Sequence, residues 1–153
     1  MIGNGLDGVG RDSEQRRPLG IVLLSGLYLF FFLLTISTFG YPFPFMGRIF
    51  LGKPAEALVF VDSLVCLYLF LGLMKRQTLT WYLLIAYNCF EIINTLLNLL
   101  FISITDVEKV AGKPVDPRAL LVNNISVVVA IILLTIFIWR HRAYFTNRSN
   151  YLF

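Results

Sequence analysis

The amino-acid sequence predicts an all-α, polytopic integral membrane protein built as a four-helix transmembrane bundle. Three observations carry this reading. Apolar residues make up 58% of the 153-residue chain and charged residues only 14%, with a mean hydropathy of +0.76, which is the balance of a chain solvated mostly by lipid. The apolar residues gather into runs of about 20 residues, the length that crosses a hydrocarbon core of roughly 30 Å. None of these runs alternates as a strand would, and lipid offers no water to unpaired backbone groups, so each is predicted to be a helix.

Residues 1–18 precede the first run. Met1 to Ser13 is Gly-rich and polar, and is read as a short cytoplasmic tail. The first helix, about 19–39, carries no charge. It is longer than a secretory signal core and lacks a small-residue cleavage pattern, so it is predicted to be retained. Residues 40–54, GYPFPFMGRIFLGKP, are broken by Pro and Gly yet stay greasy through Phe43, Phe45, Ile49 and Phe50. That mixture predicts an interfacial segment sealing one end of the bundle, with Tyr41 at headgroup depth and Arg48 reaching water.

The second helix, about 57–74, contains one charge, Asp62, and the third, about 81–104, contains one, Glu91. The turn between them, Lys75 to Thr80, is short enough to force an antiparallel hairpin. Residues 105–118 are polar and contain Pro114 and Pro117, the composition of an exposed loop. The fourth helix, about 119–139, is uncharged, and residues 140–153 form a basic tail. Trp81, Trp139, Arg140 and Arg142 complete the predicted interfacial anchors. The whole of 19–139 reads as one transmembrane domain.

Charge sets the expected orientation. Eight basic residues, Arg11, Arg16, Arg17, Lys75, Arg76, Arg140, Arg142 and Arg148, fall on the side of the termini, against five, Arg48, Lys53, Lys109, Lys113 and Arg118, on the other. The positive-inside rule then places both termini in the cytoplasm.

The costliest residues to place are Asp62 and Glu91, since a carboxyl inside an apolar span must be protonated, paired or hydrated. In an antiparallel hairpin, residues whose numbers sum to about 155 lie level, which sets Asp62 between Glu91 and Asn94. Tyr87, Glu91, Asn94 and Asn98 recur at helical spacing as a polar stripe. The same depth argument brings Thr35 to Asp62 and Asn98 to Asn124, and leaves Tyr28 a turn deeper, reaching toward Glu91. The predicted polar core is therefore Thr35, Asp62, Glu91, Asn94, Asn98 and Asn124. Three readings of it stay open: interhelical glue, a proton-linked site in which two carboxyls share a proton, and a docking stripe for a partner subunit.

Other chemistry lacks its residues. Cys66 and Cys89 fall at one depth but on different faces, and no C-x-x-C occurs, so disulfide or quinone redox chemistry is not expected. The single His141 excludes paired-histidine haem ligation and gives no zinc constellation, and no other metal or cofactor is expected. There is no H-E-x-x-H, no Gly-rich phosphate loop and no aspartate cluster for Mg²⁺. Asn124-Ile125-Ser126 and Asn147-Arg148-Ser149 match the glycosylation pattern, but at membrane depth and in the cytoplasm.

The hairpin GLMKRQTLTWYLLIAYN, residues 72–88, resembles the inner turn of small bacterial integral inner-membrane proteins with four helices, families mostly of unknown function. The likeness covers under a fifth of the chain. It implies a bacterial inner membrane and no active site. Together these features lead to the expectation of a non-catalytic accessory or assembly subunit of a larger membrane complex, partnered by lipid and by other membrane subunits or itself, and not by nucleic acid. The alternative is a small, oligomeric, proton-linked transporter or channel using Asp62 and Glu91.

Overall fold

The computed structural model describes residues 19–148. Its elements run α1 (Leu19–Ser37), β1 (Phe43–Phe45), β2 (Arg48–Phe50), α2 (Lys53–Met74), α3 (Thr78–Phe101), α4 (Ile104–Ala111) and α5 (Pro117–Arg140), followed by a 3₁₀ turn over Arg142–Tyr144. Helices α1, α2, α3 and α5 are each long and apolar enough to cross a membrane, and they fit a multi-pass membrane protein. The predicted tail over 1–18, with three of the eight basic residues of that side, lies outside the described residues.

The helix starts differ from the sequence expectation where capping decides them. Helix α2 begins at Lys53, with Pro54 in its first turn, where a fixed φ and a missing N–H cost nothing. Helix α5 begins at Pro117 behind Asp116, whose carboxylate accepts the Arg118 N–H. Helix α3 runs Thr78–Phe101, about three residues earlier than expected at both ends, between Gln77 and Ile102, which are both extended.

Two segments expected to be irregular are ordered elements. Residues 43–50 form a two-stranded antiparallel hairpin, Phe43 opposite Phe50 and Phe45 opposite Arg48. Its two-residue turn has positive φ at both Met46 (49°) and Gly47 (81°), the primed geometry that matches the twist of paired strands. The expected loop at 105–118 contains α4. Ser103 caps it by accepting the Asp106 N–H at 3.1 Å, and Gly112 ends it in the left-handed region. The Ser103 hydroxyl also donates to Asp106 at 2.6 Å and holds that carboxyl below its usual range.

The tightly packed core lies at one end only. It joins Ile21, Leu24 and Tyr28 of α1, Leu69 and Leu73 of α2, Trp81 and Leu84 of α3, Ile138 of α5 and Phe145 beyond it. Each helix contributes the half nearest the α2–α3 turn. Gly72 permits the closest approach: a Cβ there would collide with the Thr80 side chain. Trp81, expected as an interfacial anchor, is instead 3% exposed and donates from Nε1 to the Ile138 carbonyl at 3.1 Å. The Arg142 guanidinium lies 4.8 Å from its ring centroid, a cation–π contact. Trp139, Tyr41, Arg48 and Arg140 are exposed, as anchors would be.

The tail after α5 is tied down as far as Asn147. Thr78 N–H donates to the Asn147 carbonyl at 2.8 Å, Asn147 N–H returns to Arg76 at 3.1 Å, and Arg76 Nε donates to the Tyr144 carbonyl at 2.7 Å. These bonds satisfy backbone groups of the α2–α3 turn, where Arg76 has a positive φ of 54°. Over their length the long helices pair chiefly as α1–α2 and α3–α5, and among the described residues the buried apolar cluster that joins all four lies at the end of the α2–α3 turn.

This asymmetry is testable with two glycines. Gly72→Ala is expected to destabilise the protein by about 1–3 kcal/mol through overpacking against Thr80, which outweighs the roughly 1 kcal/mol that Ala gains over Gly in a helix. Gly26 has nothing within 4 Å of its Cβ position, so Gly26→Ala is expected to hold or raise stability. Unfolding midpoints in detergent measure both.

Candidate functional site

Above the core lies a layer of polar side chains that ties all four long helices. Tyr28 of α1 donates to Asn88 Oδ1 of α3 at 2.7 Å, and Asn88 Nδ2 donates to Thr135 Oγ1 of α5 at 3.1 Å. Beside it, Asp62 of α2 accepts from Tyr87 Oη of α3 at 2.8 Å and from Thr35 Oγ1 of α1 at 3.4 Å. Cys66 Sγ lies 3.3 Å from the same phenol oxygen. Because a phenol has a single proton and here gives it to Asp62, the thiol is the donor in that contact.

The predicted meeting of Thr35 with Asp62 is present. Tyr28 does not reach Glu91, however. The cause is the earlier start of α3, which slides its residues toward the opposite end, so Asp62 pairs with Tyr87 and Tyr28 with Asn88. Cys66 is buried and Cys89 exposed, both free.

Asn94 and Asn98 are spent differently from interhelical glue. Asn94 Oδ1 accepts the Met46 N–H at 2.8 Å, Asn98 Oδ1 accepts the Gly47 N–H at 2.7 Å, and Asn98 Nδ2 donates to the Pro44 carbonyl at 3.3 Å. The two carboxamides therefore clasp the turn of the β-hairpin to α3. Phe45 adds a ring contact with Phe90 at 5.9 Å, and a side chain at Gly47 would strike Phe101. Asn124 bonds its own helix, donating to the Leu120 carbonyl at 2.9 Å, and so joins the site as lining only.

Between the hairpin, α4 and the splayed halves of α2, α3 and α5 lies an open cavity of about 970 Å³, within reach of the roughly 300–1,000 Å³ typical of small-molecule sites. Asp62, Glu91, Asn94, Asn98 and Asn124 line it, with Thr95 beside them. Its walls are otherwise apolar: Leu99 from α3, Ile102 just after it, Val107 and Val110 from α4, Leu120 and Val127 from α5. Tyr41 and Phe43 stand at its lip. The amphipathic spacing of Ile104, Val107 and Val110, with Ser103 before it, was the sequence signal for α4; its apolar face is the cavity's roof.

The two carboxyls are not equivalent. Asp62 has two hydroxyl donors, while the partner of Glu91 is the Asn94 side chain one turn along its own helix. Both are half-buried. Chemically, two carboxyls on one wall can take up or release protons and can attract positive charge. No protein-family model, curated protein or solved structure matches the chain.

The clasp gives a direct test. Asn98→Ala is expected to leave the Gly47 N–H without its partner, at a cost of about 1–3 kcal/mol for the lost bond. Hydrogen exchange at the Met46 and Gly47 amides is then expected to speed up about 5- to 150-fold, while amides of the core around Leu84 stay as slow as in the parent. Unchanged exchange at the turn would mean that Asn98 does not hold the hairpin.

Proposed function

We propose that this chain is a multi-pass inner-membrane protein that binds a small ligand in its acidic cavity in exchange for protons, working as a proton-linked carrier. The observation that carries the reading is the placement of both intramembrane acids, Asp62 and Glu91, on the wall of one open cavity. A carboxyl in a low-dielectric site is costly unless something compensates it, and such residues mark ion and substrate pathways. The positive-inside count supports cytoplasmic termini, with the hairpin and α4 on the outer side. The likeness of residues 72–88 to bacterial inner-membrane turns supports the same membrane.

A role as a non-catalytic accessory subunit is the second reading. It draws on α5, which buries only Ile138 and leaves Asn123 and Ser126 exposed, polar groups that a partner helix would cover. Against it stands the polar stripe. Asn94 and Asn98 are satisfied by the hairpin and Tyr87 by Asp62, so the amide and phenol groups of the stripe need no partner subunit, and Glu91 faces the cavity.

Cysteine labelling separates the two. In a Cys66→Ala, Cys89→Ala background, Thr95→Cys and Asn124→Cys are expected to react with a membrane-impermeant maleimide in native vesicles, from the hairpin side. Leu133→Cys, on an exposed apolar face, is expected to stay unlabelled. Protection of both cavity positions in the native membrane, with labelling regained after detergent extraction, would overturn the carrier reading in favour of the accessory subunit.

A further inference from the structure

We propose that the ligand of this cavity is a lipophilic organic monocation, an amine or ammonium-type molecule with an apolar body, an inference that rests on the carrier reading. Charge comes first. Among the described residues, Asp62 and Glu91 line the cavity and no Lys, Arg or His does. The basic groups Arg48 and Lys109 line an adjoining depression together with Asp106, across a wall of Pro42, Ile49, Ile102 and Val110 that the two spaces share. An anion would meet uncompensated carboxylates in a low-dielectric site, an arrangement that costs more the drier it is.

The oxygens left on the wall suit an organic cation rather than a metal ion. Hard metal ions require six or more converging oxygens, or several waters retained. Here the carboxamide oxygens of Asn94 and Asn98 are already given to the Met46 and Gly47 N–H groups, and Asn124 is bonded to its own helix. Two carboxyls remain, and Asp62 already accepts from two hydroxyls. That leaves Glu91 as the group that meets the cation, with Asp62 adding its field. A diffuse organic cation needs only such an electrostatic partner, because its apolar body is held by burial.

The wall suits an apolar body. Leu99, Ile102, Leu120 and Val127 offer apolar contact, at roughly 25 cal/mol for each Å² buried, and Tyr41 and Phe43 at the lip offer ring faces that attract cations. A small hydrophilic ammonium would gain nothing from these surfaces. The titratable groups on the cavity are Asp62 from α2, Glu91 from α3 and Tyr41 beside the hairpin; Tyr87 and Cys66 stand behind Asp62, and α4 and α5 present none to it. Cation and proton therefore compete for the same two carboxyls. Binding releases protons, and it strengthens as pH rises through the range in which those carboxyls ionise.

Equilibrium dialysis of the whole protein in nanodiscs of uncharged lipid, with empty nanodiscs as reference, tests this. The probes are tetraphenylphosphonium as cation, triphenylphosphine oxide as neutral analogue and tetraphenylborate as anion. The expected result is saturable binding of tetraphenylphosphonium alone, at least about tenfold weaker in Glu91→Gln and tighter at pH 8 than at pH 5.5, with proton release recorded by a soluble pH dye. Should Glu91→Gln fail to fold, the proton release and pH dependence of the parent protein decide the matter by themselves. Equal or tighter binding of the neutral or anionic probe overturns the cation inference and leaves a ligand cavity. Binding of no probe also overturns it, and the maleimide labelling then shows separately whether the cavity is open.

Discussion

A polar atom enclosed by apolar helices must find a hydrogen-bond partner, and the rest of this structure depends on how that requirement is met. Tyr28, Asn88 and Thr135 join α1, α3 and α5, while Thr35, Asp62 and Tyr87 join α1, α2 and α3. Each of these side chains has few positions in which it is satisfied. Sliding any one helix by a turn would break bonds worth about 1 kcal/mol each and strand their partners at a higher cost. The polar layer therefore sets the register that apolar ridges alone would leave loosely defined.

Register in turn explains why the bundle is closed at one end and open at the other. Below the layer, Gly72 lets α2 and α3 touch, Trp81 bonds across to α5, and the tail after α5 pairs with the α2–α3 turn. Above it, large apolar residues give way to Glu91, Asn94, Asn98 and Asn124, which cannot pack as a dry core. The helices part and the cavity remains. The hairpin and α4 cover it without filling it.

The hairpin is held by side chains at the places where its own sequence is least suited. Met46 adopts a positive φ that a non-glycine residue seldom takes, and its N–H is received by Asn94. A carboxamide stripe that would be expensive facing lipid is thus used to anchor a strained turn. The same stripe, freed of any need for a partner, leaves Glu91 as the most available charge in the apolar part of the molecule.

Much of this was legible in the sequence. Four apolar runs of bilayer length determined four long helices, because only helices satisfy their own backbone over such a span. The isolated acids and the i, i+3, i+4 spacing of Tyr87, Glu91, Asn94 and Asn98 determined that one face of α3 turns inward, and the depth rule applied to the connection between α1 and α2 placed Thr35 near Asp62. What the tertiary structure alone decided was the exact pairing. A start for α3 three residues earlier than expected rotates and shifts its whole face, giving Tyr87 to Asp62 and Asn88 to Tyr28. Ser103 and Gly112 bracket a helix that local composition had disguised as a loop, and Trp81 exchanged the interface for the core. Composition and periodicity report how each segment meets its solvent, lipid or water. They carry no information on which residue of a distant segment stands opposite, and it is that opposition, between α2, α3 and α5, that turns two scattered acids into one cavity.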